Sequence, residues 1–255
     1  MKVFSPFSAF VIWWQIVYLI FTVISLFCYP IQISFNILVD SSLLSSLQDS
    51  YQALCLLDIL FHFNTGFWEF GTIVESRSRI LTNYLKGFFF IDLLCFISIS
   101  HSWADIGLGW INYGILLKFF SLSQIFSLLN NKYRWREKIG EIMDFLTIFY
   151  LLLSIINVFA CIWHQAAAGC PETMNSWLIV AKLTQKSAGI RYLYSIYWTT
   201  VTMLTIGYGD ITPQNPIEIV VAFFVMLFGS VSFAYLISII QSILRSYQKR
   251  QKNLE

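Results

Sequence analysis

Long apolar stretches, separated by short polar segments, recur along almost the whole chain. Six of them are long enough to cross the hydrocarbon core of a bilayer as helices, since one span needs about 20 residues. They lie near residues 9–28, 49–68, 87–104, 108–129, 142–164 and 217–244. The pattern therefore predicts an all-α membrane protein with six transmembrane helices.

The segment between the fifth and sixth stretches follows a different pattern. Residues 164–190 are mixed and polar, and the apolar stretch from Tyr192 to Leu204 is too short to cross a membrane. A glycine-containing turn follows, with the sequence Thr205-Ile206-Gly207-Tyr208-Gly209-Asp210. Non-helical backbone at membrane depth is tolerated only where protein encloses it or where it lines a watery cavity. We therefore expect a short re-entrant helix and a turn that lines a cavity.

The composition agrees with a membrane protein. Hydrophobic residues make up 57% of the chain and charged residues only 12%, against about a quarter in soluble domains. The five cysteines form no CxxC pair, and the three histidines are far apart in sequence. We expect no disulfide scaffold, no zinc or iron site and no cofactor. No nucleophile, base or cofactor motif accompanies the acidic residues, so an enzyme is not expected either.

Lysine and arginine occur in short clusters between the apolar stretches, which suits determinants of membrane topology better than a nucleic-acid surface. Six crossings put both termini on one side, and most basic residues share that side. They are Lys2, Arg77, Arg79, Lys86, Lys132, Arg134, Arg136, Lys138, Arg245, Lys249, Arg250 and Lys252. Because cytoplasmic loops carry the excess of positive charge, we predict that both termini are cytoplasmic. The C-terminal cluster fits a stop-transfer signal or the start of a linker.

The run from Tyr197 to Thr205, followed by Ile-Gly-Tyr-Gly-Asp, resembles the pore helix and filter of potassium channels. Further segments are similar to the ether-à-go-go and cyclic-nucleotide-gated superfamily and extend the resemblance over nearly the whole chain. They are Ser5-Pro6-Phe7, Trp13-Trp14, Tyr29-Pro30-Ile31, Phe63 to Phe67, Gly71 to Val74, Asn83 to Leu94, Asn157 to His164 and Asn175-Ser176-Trp177. Cyclic-nucleotide-gated pores usually lack the Tyr-Gly-Asp ending, so its presence here favours potassium selectivity.

The resemblance implies that backbone oxygens of the turn replace the hydration shell of a permeant potassium ion. The expected ion-binding residues are Thr205, Ile206, Gly207, Tyr208 and Gly209. Tyr197 and Trp198 should brace Tyr208, and Asp210 should lie at the outer mouth. One chain supplies a quarter of each oxygen ring, which predicts a homotetramer in the lipid bilayer, with unlike subunits as an open possibility.

The fourth apolar stretch departs from the family. Relatives carry a basic residue at every third position there, whereas this chain keeps only Lys118. Asp58 and Asp92 match acidic partners on the second and third spans. One charge that crosses the field is worth about 2.3 kcal/mol per 100 mV, and steep gating uses three or four per subunit. We therefore expect weak or absent voltage sensing; a purely structural ion-pair network is the alternative.

The sixth stretch should line the lower pore. Gly229 is either a hinge or a close-packing site, and Ile237 and Gln241 are candidates for an inner constriction. The predicted organisation is a sensor-like four-helix domain, a linker, a pore domain with the re-entrant helix and filter, and a cytoplasmic tail. These cover residues 1–130, 131–141, 142–245 and 246–255.

Both chain ends lie close to the outermost apolar stretches, so we expect a short form without the cytoplasmic domains of its relatives. The short termini and the nearly uncharged fourth span leave one alternative function open. It is a non-conducting structural or regulatory subunit of a larger membrane complex.

Overall fold

The computed structural model describes residues 3–35, 42–69, 72–99, 109–118, 135–171 and 174–252. They form two compact units. Unit 1 comprises Met1–Tyr29 and Leu38–Lys138, and unit 2 comprises Pro30–Ile37 and Ile139–Glu255. The change of unit inside the first helix coincides with Pro30, which has no backbone N–H to donate to the preceding turn.

The described residues are mostly helical. In chain order the helices are α1 (Ala9–Phe35), α2 (Ser42–Asn64), α3 (Arg77–Lys86), α4 (Phe89–Ser98), a 3₁₀ segment (Gly109–Leu117), α5 (Trp135–Ala168), α6 (Trp177–Val180), α7 (Ala188–Met203) and α8 (Pro216–Lys252). Strands β1 (Phe67–Glu69) and β2 (Thr72–Val74) form an antiparallel hairpin between α2 and α3, in which Trp68 pairs with Ile73.

Three described helices are long and apolar enough to cross a membrane. They are Ala9–Phe35, Phe145–Ala168 and Pro216–Ser238, at the places predicted for the first, fifth and sixth spans. The pair α3 and α4 passes the same test as one broken span, bent by 61°. These helices confirm a mostly helical, multi-pass membrane protein, and the count of six spans stays a prediction.

Several element boundaries differ from the predicted ones. The chain leaves α2 at Asn64 and enters a hairpin that was not predicted. Glycine is required at position 66 because a Cβ atom there would lie 2.8 Å from the Val74 carbonyl oxygen. Helix α8 continues to Lys252, past the predicted end at 244, since neither glycine nor proline interrupts it after Gly229. Most of the fourth predicted span lies outside the described residues.

Buried polar side chains join the helices of unit 1. Tyr29 on α1 donates its hydroxyl proton to the Ile99 carbonyl over 2.6 Å, and Gln48 on α2 donates to the same oxygen over 2.7 Å. Nearer the middle of the helices, the Tyr51 hydroxyl donates to Thr22 Oγ1. Such hydrogen bonds are needed because a polar group in an apolar interior is destabilising unless it has a partner. They hold α1 and α2 in a fixed register.

Unit 2 contains a stack of three tryptophans, which we call the tryptophan stack. The Trp163 ring on α5 lies parallel to the Trp198 ring on α7, with centroids 3.6 Å apart, and Trp177 stacks on Trp163 at 5.7 Å. All three side chains are buried. Stacked aromatic pairs contribute about 0.5–1.5 kcal/mol beyond their buried area. The stack therefore joins α5, α6 and α7 in one core.

The last turn of α1 packs within unit 2. Ser34 donates its hydroxyl proton to the Cys161 carbonyl over 2.7 Å and lies 3.2 Å from Nδ1 of His164. The Phe35 ring stacks on the His164 ring, with centroids 3.8 Å apart. His164 is buried, and its Nε2 lies 3.5 Å from a guanidinium nitrogen of Arg191 on α7. His164 is thus surrounded by α1, α5 and α7.

Candidate functional site

The predicted filter turn begins as the end of helix α7. Thr205 N–H donates to the Thr202 carbonyl over 3.1 Å, and Ile206 N–H donates to the Val201 carbonyl over 2.9 Å. With Leu204 as the C-cap residue, these two bonds form a Schellman motif. The turn is therefore fixed at its start by the carbonyls of the short helix.

Thr205 occupies the position of that motif at which glycine is usual. Its φ is +58°, in the left-handed region. A branched side chain is strained there, at about 1–3 kcal/mol. The left-handed conformation of Thr205 was not predicted from the sequence. Strain of this kind persists only where the surroundings hold the backbone in place.

Gly207 and Gly209 also have positive φ, at +62° and +76°. A Cβ atom added to either would meet nothing within 4 Å, so their conformation and not a lack of space in the subunit requires glycine. Together with Thr205, every second residue from 205 to 209 is left-handed. This alternation allows successive carbonyl groups to face the same side.

Side chains of α7 hold the residues that follow the turn. Trp198 Nε1 donates to the Ile211 carbonyl over 3.0 Å, and the Tyr197 hydroxyl donates to Asp210 Oδ2 over 2.8 Å. The hydrogen bond to the Asp210 carboxylate raises the pKa of the Tyr197 phenol above its ordinary value. The sequence analysis expected Tyr197 and Trp198 to brace Tyr208. Within the subunit they hold Asp210 and Ile211 instead, and the Tyr208 side chain is 68% exposed.

A buried carboxylate, which the sequence analysis missed, joins α6 to α8. Glu218 is fully buried; its Oε1 accepts the Trp177 N–H over 3.1 Å and its Oε2 accepts the Gln214 N–H over 2.8 Å. Asn215 Oδ1 in turn accepts the Glu218 N–H, which caps α8. The sequence Asn-Pro-x-Glu, a helix-start signature, could have revealed this role.

Gly229 on α8 packs against the end of α7. A Cβ atom at this position would lie 2.8 Å from the Met203 Cα. Of the two roles predicted for Gly229, the contact favours close packing, because small residues let helix backbones approach. Ile237 and Gln241 are exposed on α8, and their part in a constriction stays a prediction.

The structure brings together the three residues of the predicted sensor remnant in unit 1. Lys118 Nζ lies 2.6 Å from Asp92 Oδ1, and the Tyr84 hydroxyl donates to the other oxygen of Asp92 over 2.8 Å. A carboxylate oxygen of Asp58, one of Asp92 and a ring nitrogen of His62 all lie within 4.8 Å of one another. Lys118, Asp58 and Asp92 are all buried.

Two further side chains surround this cluster. Trp14 Nε1 donates to Asp58 Oδ1 over 3.0 Å. Lys118 Nζ lies 4.9 Å from the centre of the Tyr18 ring, a distance at which the ring face attracts a cation. The sequence analysis missed Trp14, Tyr18 and His62, because each reaches the cluster through tertiary packing.

Comparisons with known proteins agree with this architecture. A family model described as an ion channel matches residues 172–246, which include the short helix, the turn and most of α8. Fold and site thus define a multi-pass membrane protein whose C-terminal part resembles ion channels. The matched proteins are ion channels, which are not enzymes. This agrees with the prediction that the chain is not an enzyme.

The chain is similar to potassium channels of plants and animals. It is 26% identical over 257 residues to the potassium channel AKT2 of Oryza sativa subsp. japonica, a match that covers 92% of this chain and 29% of the relative. It is 27% identical over 216 residues to the potassium channel AKT1 of Arabidopsis thaliana, covering 82% and 25%. It is 26% identical over 259 residues to the voltage-gated delayed rectifier potassium channel KCNH5 of Homo sapiens, covering 89% and 26%.

These matches confirm the resemblance to voltage-gated-like potassium channels. The chain spans between a quarter and a third of the length of the relatives named above.

The contact of Gly229 with Met203 predicts the effect of a Gly229→Ala substitution. The added methyl group must displace the end of α7, and overpacking of this kind costs about 1–3 kcal/mol. We expect a lower melting temperature for the purified protein. Gly189→Ala is the matched control, because its added Cβ meets nothing within 4 Å. Equal melting temperatures for the two variants would contradict the packing role.

Glu218→Gln tests the buried carboxylate. A glutamine amide has one oxygen, so its NH₂ group must face one of the two backbone donors, Trp177 N–H or Gln214 N–H. A buried donor without an acceptor costs about 1–3 kcal/mol, and we expect the melting temperature to fall. Glu75→Gln, at an exposed position, should have no effect. A melting temperature of Glu218→Gln equal to that of this control would sink the interpretation.

Proposed function

We propose that the chain is one subunit of a tetrameric, potassium-selective channel with a central pore. The observation that carries the proposal is the backbone of the turn, in which Thr205, Gly207 and Gly209 alternate in handedness with Ile206 and Tyr208. A potassium ion that loses its hydration water needs oxygen ligands in its place. A backbone of this kind can supply such ligands from one peptide group after another.

Four copies of the turn are needed to complete the oxygen rings around an axis. The exposure of the turn supports this assembly: residues 204–210 are all exposed in the subunit. Large apolar side chains of α8, such as Phe223 and Met226, are also more than half exposed. We infer that neighbouring copies cover the turn and that copies or lipid cover α8. A homotetramer is the simplest assembly, and unlike subunits could take some of the four positions.

The short helix α7 contributes to ion binding in this proposal. Its C-terminal end is at Met203, next to the turn, and carries the negative end of the helix dipole. Facing a central cavity, it stabilises a cation that is about to enter the filter. The Asp210 carboxylate, held by Tyr197, adds negative charge at the outer mouth.

We further propose a membrane arrangement with six spans and cytoplasmic termini. The first, fifth and sixth spans correspond to α1, α5 and α8. Helix α2, the broken pair α3–α4 and the segment that begins at Gly109 would supply the other three. Residues 1–130 then form the sensor-like domain and residues 142–245 the pore domain, joined by a linker at 131–141 and followed by a tail at 246–255.

Weak or absent voltage sensing is the second part of the proposal. Lys118 is the one basic residue at the expected positions of the fourth stretch, and it already lies against Asp92 and the Tyr18 ring. Even if it crossed the whole field, its charge would supply at most about a third of what steep gating requires. The pair therefore serves mainly to hold unit 1 together.

The alternative is a non-conducting structural or regulatory subunit of a larger membrane complex. The pairing of Lys118 with Asp92 favours this alternative, because loss of the voltage sensor is expected of a channel fold that serves another purpose. The turn argues against it, because all residues that would form the oxygen cage are present with the required backbone conformation. The number of copies around one axis distinguishes the two functions.

Conduction is tested by reconstituting the protein in liposomes and measuring reversal potentials in potassium and sodium gradients. We expect the potential to follow the potassium gradient. Gly209→Ala should abolish selective current, because φ of +76° strains a residue with a Cβ atom. Gly189→Ala should keep it, since its added Cβ meets nothing within 4 Å. A potential that follows sodium equally well, or no current from correctly assembled tetramers, would refute the proposal.

Voltage sensing is tested by the limiting slope of open probability against voltage. We expect about one elementary charge per subunit or less, since Lys118 alone remains of the basic series. Lys118→Met, if it folds, should leave the slope near zero. A measured value of three or more charges per subunit in the unmodified protein would contradict the proposal.

A further inference from the structure

Unit 1 contains a cavity of about 530 Å³ that the proposed conduction pathway does not use. The start of α1, the end of α2, strand β1 and α3 surround it. Main-chain bonds fix one side: Phe4 N–H donates to the Asn64 carbonyl and Gly66 N–H donates to the Phe4 carbonyl, each over 2.9 Å. The shape of the cavity is therefore set by backbone contacts as well as by side chains.

Aromatic rings dominate the wall of the cavity. Five phenylalanines, two tryptophans and one tyrosine are among the lining residues. Phe7 meets the Trp68 ring edge-on at 5.5 Å, and Trp14 meets Phe61 at 4.7 Å. Trp68 is still 51% exposed, so part of its ring can contact a bound molecule. The faces of such rings carry negative electrostatic potential and attract cations.

The charged groups at the cavity have the same sign. Glu69 lines it, and in the described part of the chain no Lys, Arg or His lies within ion-pair distance of its carboxylate. Lysine and arginine are not among the lining residues, and the lining histidine, His62, lies 3.5 Å from the Asp58 carboxylate. Behind the wall, Trp14 and Gln15 donate to the buried Asp58 carboxylate. The cavity therefore offers one carboxylate directly and lies beside a second.

We propose that this cavity binds an organic cation with an aromatic or apolar body, such as an arylalkyl ammonium. The volume is within the usual range for small-molecule sites, about 300–1,000 Å³. The ammonium group would lie against Glu69 and the face of Trp68, and the apolar body among the phenylalanines. An anionic headgroup would find no lysine or arginine among the lining residues, and His62 already lies against Asp58; an acyl chain would leave the Glu69 carboxylate unused.

The probe is phenylbutyl trimethylammonium, compared with its uncharged isostere in which a tert-butyl group replaces the trimethylammonium group. The affinity of each compound for the full chain in nanodiscs is measured in high potassium, which limits binding in the pore. We expect the cation to bind about tenfold more tightly than the isostere. Glu69→Gln should remove most of that difference and leave the affinity for the isostere unchanged. Glu69→Asp should restore it, and Glu75→Gln, at an exposed position outside the cavity, should match the unmodified chain.

Trp68→Leu tests the aromatic face and should weaken binding of the cation several-fold. Trp13→Leu is its control, because Trp13 is 72% exposed and does not line the cavity. Equal affinities for cation and isostere, or cation binding unaffected by Glu69→Gln and Trp68→Leu, would overturn the proposal. Tighter binding of the isostere would also overturn it and would indicate a site for an acyl chain.

Discussion

Helix α7 ends abruptly at its C-cap residue, Leu204, and contacts within unit 2 hold that ending in place. The Schellman motif places Thr205 in a strained conformation, and such a conformation lasts only if its neighbours cannot relax. Trp198 and Tyr197 hold the far side of the turn, and Gly229 admits α8 against the near side. Several contacts of modest strength thus act together to hold the strained backbone of Thr205 in place.

In unit 1, neighbouring side chains likewise hold the buried carboxylates in place. Asp92 accepts from both Lys118 and Tyr84, and Asp58 accepts from Trp14. A buried ion pair contributes little net stability, but removing one partner leaves a charge that is costly to bury. Because Lys118 and Asp92 are both buried, their pairing favours a fixed arrangement within unit 1.

The sequence predicted those features that depend on local pattern. Gly207 and Gly209 indicated the turn, and the long apolar runs indicated α1, α5 and α8. The hairpin was missed because its strands are only three residues long and β1 begins within the apolar stretch predicted at 49–68. The tryptophan stack and the contact of Gly229 with Met203 join residues far apart in sequence, and periodicity carries no information on such pairs. The left-handed backbone of Thr205 was missed because a branched residue rarely adopts that conformation.

The last turn of α1 has a consequence for dividing this protein into modules. Ser34 and Phe35 belong to unit 2 and cover His164, although the unit 1 segment Leu38–Lys138 separates them from the rest of unit 2 in the chain. A pore excised at the start of α5 would therefore expose an imidazole ring and the Cys161 carbonyl. Transplantation of this pore into another channel requires residues 30–37 to travel with it, as a separate piece of the same core.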